Sequence, residues 1–385
     1  MPTVPQIHDL QLARHAAHCG EQAAGLRACE RLLSRGLPPK VEAEVRAART
    51  WYIPELEQAI GAPAPRTLLA VDPARPGWTT FNPTVLPDRQ GGLWVIVRSS
   101  NYRIEADGSY VVPPADAGDG MPWIRTRHVL LHLDGQLRRI GEPVHLIGPD
   151  WPENECRITG MEDLRMRWSG ERIIVSGTVL NAAELPTAPG GRPIARIATA
   201  ELLPDAGILT GFQILAEPIE GRYEKNWVPI EGRPGEWLYA AWEDGHVATV
   251  TKTTLPDGLA PHWLVEKQAP APLALRHLRG RSQLVRVWNG HPGPCHWLGI
   301  FGEATDDGKR MYDHRFVLFR GHDLEPVSWS PPFRFGPLRG VEFCAGLARL
   351  NHFHLVASYG LRDEEAWLAL IDEADVFNSL KRIPC

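Results

Sequence analysis

Four short segments carry ionisable or amide side chains where an apolar strand would place hydrophobic ones. The first is Phe81-Asn82-Pro83-Thr84, together with a strand end reading Val97-Arg98-Ser99-Ser100-Asn101-Tyr102. The second is Gly160-Met161-Glu162-Asp163-Leu164-Arg165 and the third Tyr223-Glu224-Lys225-Asn226-Trp227. The fourth is Val341-Glu342-Phe343-Cys344, leading into Ser358-Tyr359-Gly360-Leu361-Arg362-Asp363. An aspartate beside a glutamate, with an arginine close behind, has the makings of a general acid. Burial and a like-charged neighbour raise a carboxyl pKa, and the guanidinium orients the group. The same residues are equally what a structural Glu–Arg pair at a strand end looks like. Lys225 suits a phosphate or a network of sugar hydroxyls, or else the cap of a turn. Asp363 suits a pair of sugar hydroxyls, or a tight turn after Gly360.

Several other chemistries lack support. Gly302 to Arg310, GEATDDGKR, has one residue too many between its glycines for a phosphate-cradling loop, and Arg310 stands where a hydroxyl is needed, so a turn is expected. The chain has no GxGxxG, GxSxG or HExxH motif. His291, Cys295 and His296 fall in a Pro/Gly turn with no second ligand group at zinc spacing, so neither a metal nor an organic cofactor is expected. A net charge of −5 removes the electrostatic footprint of general nucleic-acid binding. Trp outnumbers Tyr fourteen to seven, which fits either sugar-stacking surfaces or a propeller core, and the core reading is expected for most of them. The six cysteines show no CxxC spacing, and the N-terminus lacks a basic start followed by an apolar core. Reduced thiols in a cytoplasmic protein are expected. No apolar run approaches the roughly 20 residues that a membrane helix needs.

A two-part pattern that recurs five times must position the polar segments. Its first member reads LWVIVRSS from Leu93, RIIVSGTV from Arg172, EWLYAAWE from Glu236, HWLGIFGE from His296 and HFHLVASYG from His352. The second reads RHVLLHLDGQL, ARIATAELLPDAG, HVATVTKTTLPDG, RFVLFRGHDLEP and AWLALIDEADV. Short apolar runs bounded by Gly, Asp and Pro are strand signals, and five units about sixty residues apart predict an all-β, five-bladed β-propeller over residues 66–385. The residues that end the first strand of each pair are then the ones to interrogate. Residues 1–65 differ, with helical spacing such as Leu26, Cys29, Leu32 and Leu33. They predict an N-terminal α-helical extension of two helices, the second opened by Pro39 and kinked or split at Pro54. The extension either packs on the propeller or pairs chains into a homo-oligomer. Long loops at 104 to 122 and 182 to 193 are expected over a functional face or as mobile segments.

FNPTVL with VRSSNY, GMEDLRMRW, EKNWVPI, RGRSQ, MYDHRFV, and VEFCAGLA followed by SYGLRDEEAWLALI occur in that order over residues 78 to 376. Together they resemble the motifs of the β-mannoside phosphorylase superfamily, which is glycoside hydrolase family 130 with the related β-1,2-mannosyltransferases. The resemblance implies a five-bladed propeller that transfers a β-mannosyl unit with inversion, with inorganic phosphate or a sugar 1-phosphate as co-substrate and an oligosaccharide or sugar phosphate as partner. It implies Asp163 as the general acid, Asn82, Arg98 and Asp363 around the transferred sugar, and Lys225 on the phosphate. The same motifs put Asn101, Glu162, Arg165, Asn226, Arg281, His314, Arg315 and Tyr359 among the residues expected to bind substrate. Two departures matter. EDLR replaces EDPR, keeping the spacing of acid and arginine. A His-Arg pair expected after EKNW is replaced by Ala241-Trp242 beside Glu243. Arg192, Arg196, Arg279, Arg281 and Arg315 are the candidates to restore the missing cation. If none does, water is the nucleophile, and an inverting hydrolase needs a second carboxylate as base, roughly 6.5–9.5 Å from the acid. Glu342 and Glu224 are the candidates for it. A catalytically inert propeller that binds glycans is the reading from another class.

Overall fold

The chain folds as the repeat predicts, into five antiparallel sheets standing side by side around an axis, a five-bladed β-propeller. The computed structural model describes residues 4–105, 109–117, 123–149, 158–180, 194–219, 221–239, 245–253, 262–287, 295–306 and 310–383. Cys156, Arg192, Ala241, Trp242, Glu243, His291, Cys385 and the 182–193 loop lie outside the described residues.

Blade one runs outward through Thr79–Pro87, Leu93–Ser100, Ile124–Leu133 and Arg139–His145. Blade two uses Glu162–Ser169, Arg172–Val179, Arg196–Leu203 and Ile208–Ile214, and blade three Val228–Pro229, Glu236–Tyr239, His246–Thr253 and His262–Pro270. Blade four has a split innermost strand, Arg279–Gly280 and Val285–Val287, followed by His296–Asp306, Arg310–Arg320 and Glu325–Trp329. Blade five is Glu342–Arg349, His354–Leu361 and Glu365–Asp372. Its fourth strand comes from the other end of the chain. Arg66–Leu68 pairs antiparallel with Glu365–Asp372, Arg66 opposite Ala369 and Leu68 opposite Trp367, which closes the ring.

The two-part repeat therefore marks the second and third strands of each blade and misses the innermost ones. The physical reason is that three of the innermost strands are broken. The ladder of Thr79–Pro87 slips between Phe81 and Thr84, leaving Asn82-Pro83 as a bulge. Blade three keeps only two residues in its innermost strand, and blade four divides its own. In those three blades no continuous apolar run survives to be read, whereas Glu162–Ser169 and Glu342–Arg349 remain full eight-residue strands. Gly302–Asp306, expected as a turn, instead continues the strand from His296 and pairs with Arg310–His314.

Apolar faces of adjacent blades fuse into the core. Ile96 and Leu130 of blade one meet Met166, Val175 and Ala200 of blade two, while Val85 and Val95 meet Ala348, Val356 and Leu368 of blade five. Trp227, Trp237 and Trp263 pack edge to face in blade three, with Trp227 and Trp237 buried, in line with tryptophan as core.

The N-terminal extension forms four helices, the expected pair divided once at Pro54 as anticipated and once more at Gly20: α1 (Val4–His15), α2 (Gln22–Leu33), α3 (Pro39–Arg49) and α4 (Leu56–Ile60). The first break is at Gly20, whose φ of 72° favours glycine, and the second spans Thr50–Glu55 around Pro54. Among the described residues no helix is long and apolar enough to cross a membrane. The first three helices share a small core of Ala13, Cys29, Leu32, Val45 and Tyr52, whereas Leu56 and Ile60 of α4 enter the core of blades four and five beside Phe333 and Phe335.

Charge fastens the helices to blade four. Buried Arg49 of α3 reaches Glu303 at 2.8 Å and Asp313 at 2.5 Å, and Arg46 also pairs with Glu303. Burial alone would raise Glu303, but Arg49 and Arg46 hold it down at about 2. Burial pushes Asp313 up to about 6 against the pull of Arg49, with Glu303 adding to the rise. Removing one member of such a network leaves uncompensated buried charge. We predict that Arg49→Met lowers unfolding stability by about 3 kcal/mol, read from urea denaturation midpoints. A loss below ~1 kcal/mol would mean that apolar contact alone seats the helices.

Candidate active site

Three innermost-strand segments meet at one end of the propeller axis, and each presents a polar residue from strained backbone. Asn82, Asp163 and Asn226 have φ of 45°, 50° and 59°, values that L-residues seldom adopt and that cluster where a side chain must be re-aimed. In blade one the strain coincides with the bulge at Asn82-Pro83. In blade two the ladder slips opposite Asp163, between Ser176 and Thr178. Asp363, at φ 55°, approaches from the turn that follows His354–Leu361 in blade five.

The side chains form one connected cluster. Asn82 donates through Nδ2 to Asp163 Oδ1 at 3.0 Å. Buried Arg98 donates to the same oxygen at 3.1 Å and to Glu162 Oε1 at 3.1 Å. Lys225 Nζ stands 3.7 Å from Glu162 Oε2. Arg165 donates to the Asp163 carbonyl at 3.2 Å, to Asn226 Oδ1 at 3.2 Å and to the Arg281 carbonyl at 2.6 Å, so blades two, three and four are tied through one guanidinium. Tyr102 donates its hydroxyl to Asp363 Oδ2 at 2.9 Å.

The electrostatics differ from the expectation at the acid. Burial does push Asp163 upward, but Arg98, Lys225, the Asn82 hydrogen bond and Arg165 outweigh it and hold its carboxyl below the usual range. Asp363 goes the other way. Burial lifts it to about 6, with Arg98 opposing and the Asp163 charge adding to the rise. Two arginines carry the opposite imbalance. Burial lowers Arg165 to about 10 although Asp163 pulls it up, and Arg281 beside it adds to the lowering. Burial likewise lowers Arg281, whose Nε has no hydrogen-bond partner among the described residues. Its guanidinium lies 4.9 Å from the Tyr312 ring and 5.0 Å from Phe343. A buried cation without a carboxylate is costly unless an anion completes it.

Six expected residues are placed outside this cluster. Glu342 and Phe343 are successive on one strand, so they face opposite sides; Phe343 faces Arg165 and Arg281, and Glu342 faces away. There Glu342 accepts the backbone N–H groups of Phe335 at 2.7 Å and Gly336 at 2.8 Å. Glu224 gives both oxygens to blade three, accepting from Trp227 Nε1 and the Tyr239 hydroxyl, each at 2.8 Å. His314 is buried against Phe333 and Phe335, and Tyr359 stacks on Phe335 at 4.1 Å. Arg315 pairs with Glu30 of α2 and donates to the Ser330 carbonyl at 2.8 Å. Asn101 spans a loop, bonded to the Trp123 carbonyl and the Arg125 N–H. Of the candidate replacement cations among the described residues, Arg196 pairs with Glu217 and Arg279 donates to the Arg276 and Leu278 carbonyls, while Arg281 stands beside the cluster. Tyr102 is the member whose role sequence reasoning missed. It sits in the Arg98 segment, but only tertiary contact shows that it holds Asp363.

No protein-family model matches the chain, and no curated protein matches it. Solved structures do. A β-1,2-mannobiose phosphorylase from Listeria innocua, in complex with β-1,2-mannobiose, superposes with a TM-score of 0.52 over 85% of this chain and 98% of its own, at 11% identity. A glycosyl hydrolase from Bacteroides ovatus gives 0.45 over 77% and 84% at 15% identity. A mannose phosphorylase from Leishmania mexicana, in complex with a phosphate ion, gives 0.43 over 80% and 88% at 12% identity. The chain shares the fold of the Listeria enzyme.

Glu342 makes a pH dependence measurable. Burial pushes it from an ordinary 4.5 up to about 8, the two backbone N–H groups opposing. Between those values the folded chain holds a proton that the unfolded chain has released, so its contribution to stability falls as pH rises through that window. Glu342→Gln titrates in neither state, and we predict a flatter stability profile between about pH 5 and about pH 8 than in the parent, read from urea midpoints. Identical slopes would place the Glu342 proton elsewhere.

Proposed function

We propose that this protein is a carbohydrate-active enzyme that transfers a β-linked mannosyl-type unit with inversion, as a phosphorylase or, in reverse, a sugar 1-phosphate-dependent transferase. The observation that carries this reading is the arrangement around Asp163: an acid cradled by Asn82 and Arg98, beside Arg165 and Arg281, buried cations whose charge an incoming phosphate would complete. Arg281 is the cation this reading assigns to phosphate in the absence of the His-Arg pair.

In this reaction Asn82, Arg98 and Asp363 hold the sugar whose C1 reacts. Phosphate, bound by Lys225, Arg165 and Arg281, attacks C1 from the face opposite the glycosidic oxygen. The C1–O bond breaks as Asp163 delivers its proton to the leaving oxygen, giving a free sugar hydroxyl and an inverted sugar 1-phosphate. One protein carboxyl group is enough, because phosphate is the nucleophile. The low pKa of Asp163 in the free enzyme becomes part of the mechanism. Phosphate offsets the field of Lys225, Arg165 and Arg281, which raises the Asp163 pKa and loads the acid when both substrates are present. Hydrolysis fits less well, since Glu224 and Glu342 are engaged away from Asp163.

Proton NMR with β-1,2- and β-1,4-linked mannobioses, each with and without phosphate, tests the proposal. Sugar 1-phosphate formed only with phosphate is the expected result. Free sugar formed regardless of phosphate would replace it with a hydrolase; no change in either tube shifts the weight to a synthetic transferase, tested next with mannose 1-phosphate and acceptors, or to a glycan-binding propeller. We predict that Asp163→Asn costs about 10²–10⁴ in kcat. Arg281→Met should mainly raise the KM for phosphate, leaving the KM for the sugar nearly unchanged.

A further inference from the structure

A cavity lies away from the Asp163 cluster, between the N-terminal helices and blade four. Its volume is about 510 Å³, and none of the residues lining it belongs to the cluster. Leu26 and Leu33 of α2 form one wall, with Leu278 and Trp329 of the propeller opposite. Eight basic side chains line this cavity, of which Arg31 and Arg276 pair with Asp9 and Glu42 outside it; its own carboxylates are two, Glu30 and Glu303. Those two are already taken, Glu30 by Arg315 and Arg49, and Glu303 by Arg46 and Arg49. Arg27, Lys381 and Arg382 have no side-chain partner among the described residues. The cavity thus joins apolar walls to a rim of unspent positive charge.

We propose that this cavity binds an anionic amphiphile, a phosphate monoester carrying a short apolar chain. Arginine forks match the oxygens of a phosphate, and the leucine and tryptophan walls exclude water from an alkyl or isoprenoid chain. A volume of this size accepts a molecule of tens of atoms, in the range of ligand sites. A bare anion would leave the apolar walls unused, and a neutral amphiphile would leave Arg27 and Arg382 unused. The ligand bridges α2 to blade four, so it bears on how the helical layer is seated.

Calorimetric titration of the full chain with octyl phosphate, below its micelle-forming concentration, tests this. Octyl phosphate should bind, and butyl phosphate should bind more weakly by about fourfold per methylene lost. The double variant Arg27→Glu/Arg382→Glu, at exposed positions, should weaken octyl phosphate at least tenfold. Ala23→Trp, which fills the cavity from the surface of α2, should do the same. Octyl glucoside binding as tightly as octyl phosphate would overturn the proposal, as would inorganic phosphate binding as tightly. So would unchanged affinity in both variants, or no binding of octyl phosphate at all.

Discussion

Ring closure is the constraint on which the rest of this molecule depends. Three residues, Arg66–Leu68, complete blade five from the opposite end of the chain, and their pairing brings blade five against blade one. The seam is tight. The Ser358 hydroxyl donates to the Pro83 carbonyl at 2.6 Å. A Cβ on Gly360 would lie 2.1 Å from Asn82 Oδ1, so only glycine allows that approach. Without the seam Asp363 would not meet Tyr102, and the blade-five side of the cluster would not exist. Helix α4 lies just upstream of the closing strand and is packed into the same core, so the extension and the closure support one another.

The cluster around Asp163 shows how a propeller turns backbone strain into a site. Innermost strands crowd the axis and would by default present alternating side chains to neighbouring blades. Bulges and positive φ at Asn82, Asp163 and Asn226 break that alternation and aim polar groups along the axis instead. The strain persists because its surroundings over-determine it: Arg98 and Arg165 tie successive blades at the same point. The resulting charge balance is uneven by design of position, with carboxylates gathered on Arg98 and Lys225 while Arg165 and Arg281 remain rich in positive charge.

The helical extension is built as part of the propeller body. Its ion pairs with Glu303 and Asp313 are buried, and its last helix shares the propeller core. Buried ion pairs of this kind specify position more than they add stability, because desolvation consumes much of the Coulomb attraction. Here they fix α3 against blade four, while Glu30 of α2 pairs with Arg315 of that blade at the wall of the cavity.

The sequence by itself determined the strand repeat, the helical extension and the polar segments, because two-residue and 3.6-residue periodicities are local properties that a linear reading can see. It also exposed Asp163, Arg98, Asn82 and Lys225 as residues out of place in apolar strands. The broken innermost strands escaped it, since a bulge erases the period that would reveal them. Only the tertiary structure decided which polar residues share a site. Glu342 and Asp163 look alike in the chain, a carboxylate beside an apolar neighbour in an innermost-strand segment, yet strand alternation turns Glu342 behind blade five while a left-handed φ turns Asp163 toward Arg98. The direction of the Asp163 pKa shift was likewise settled in three dimensions, because it sums burial, the charges of Arg98 and Lys225 and the Asn82 hydrogen bond, all distant in sequence, with the charge of Arg165 two residues on.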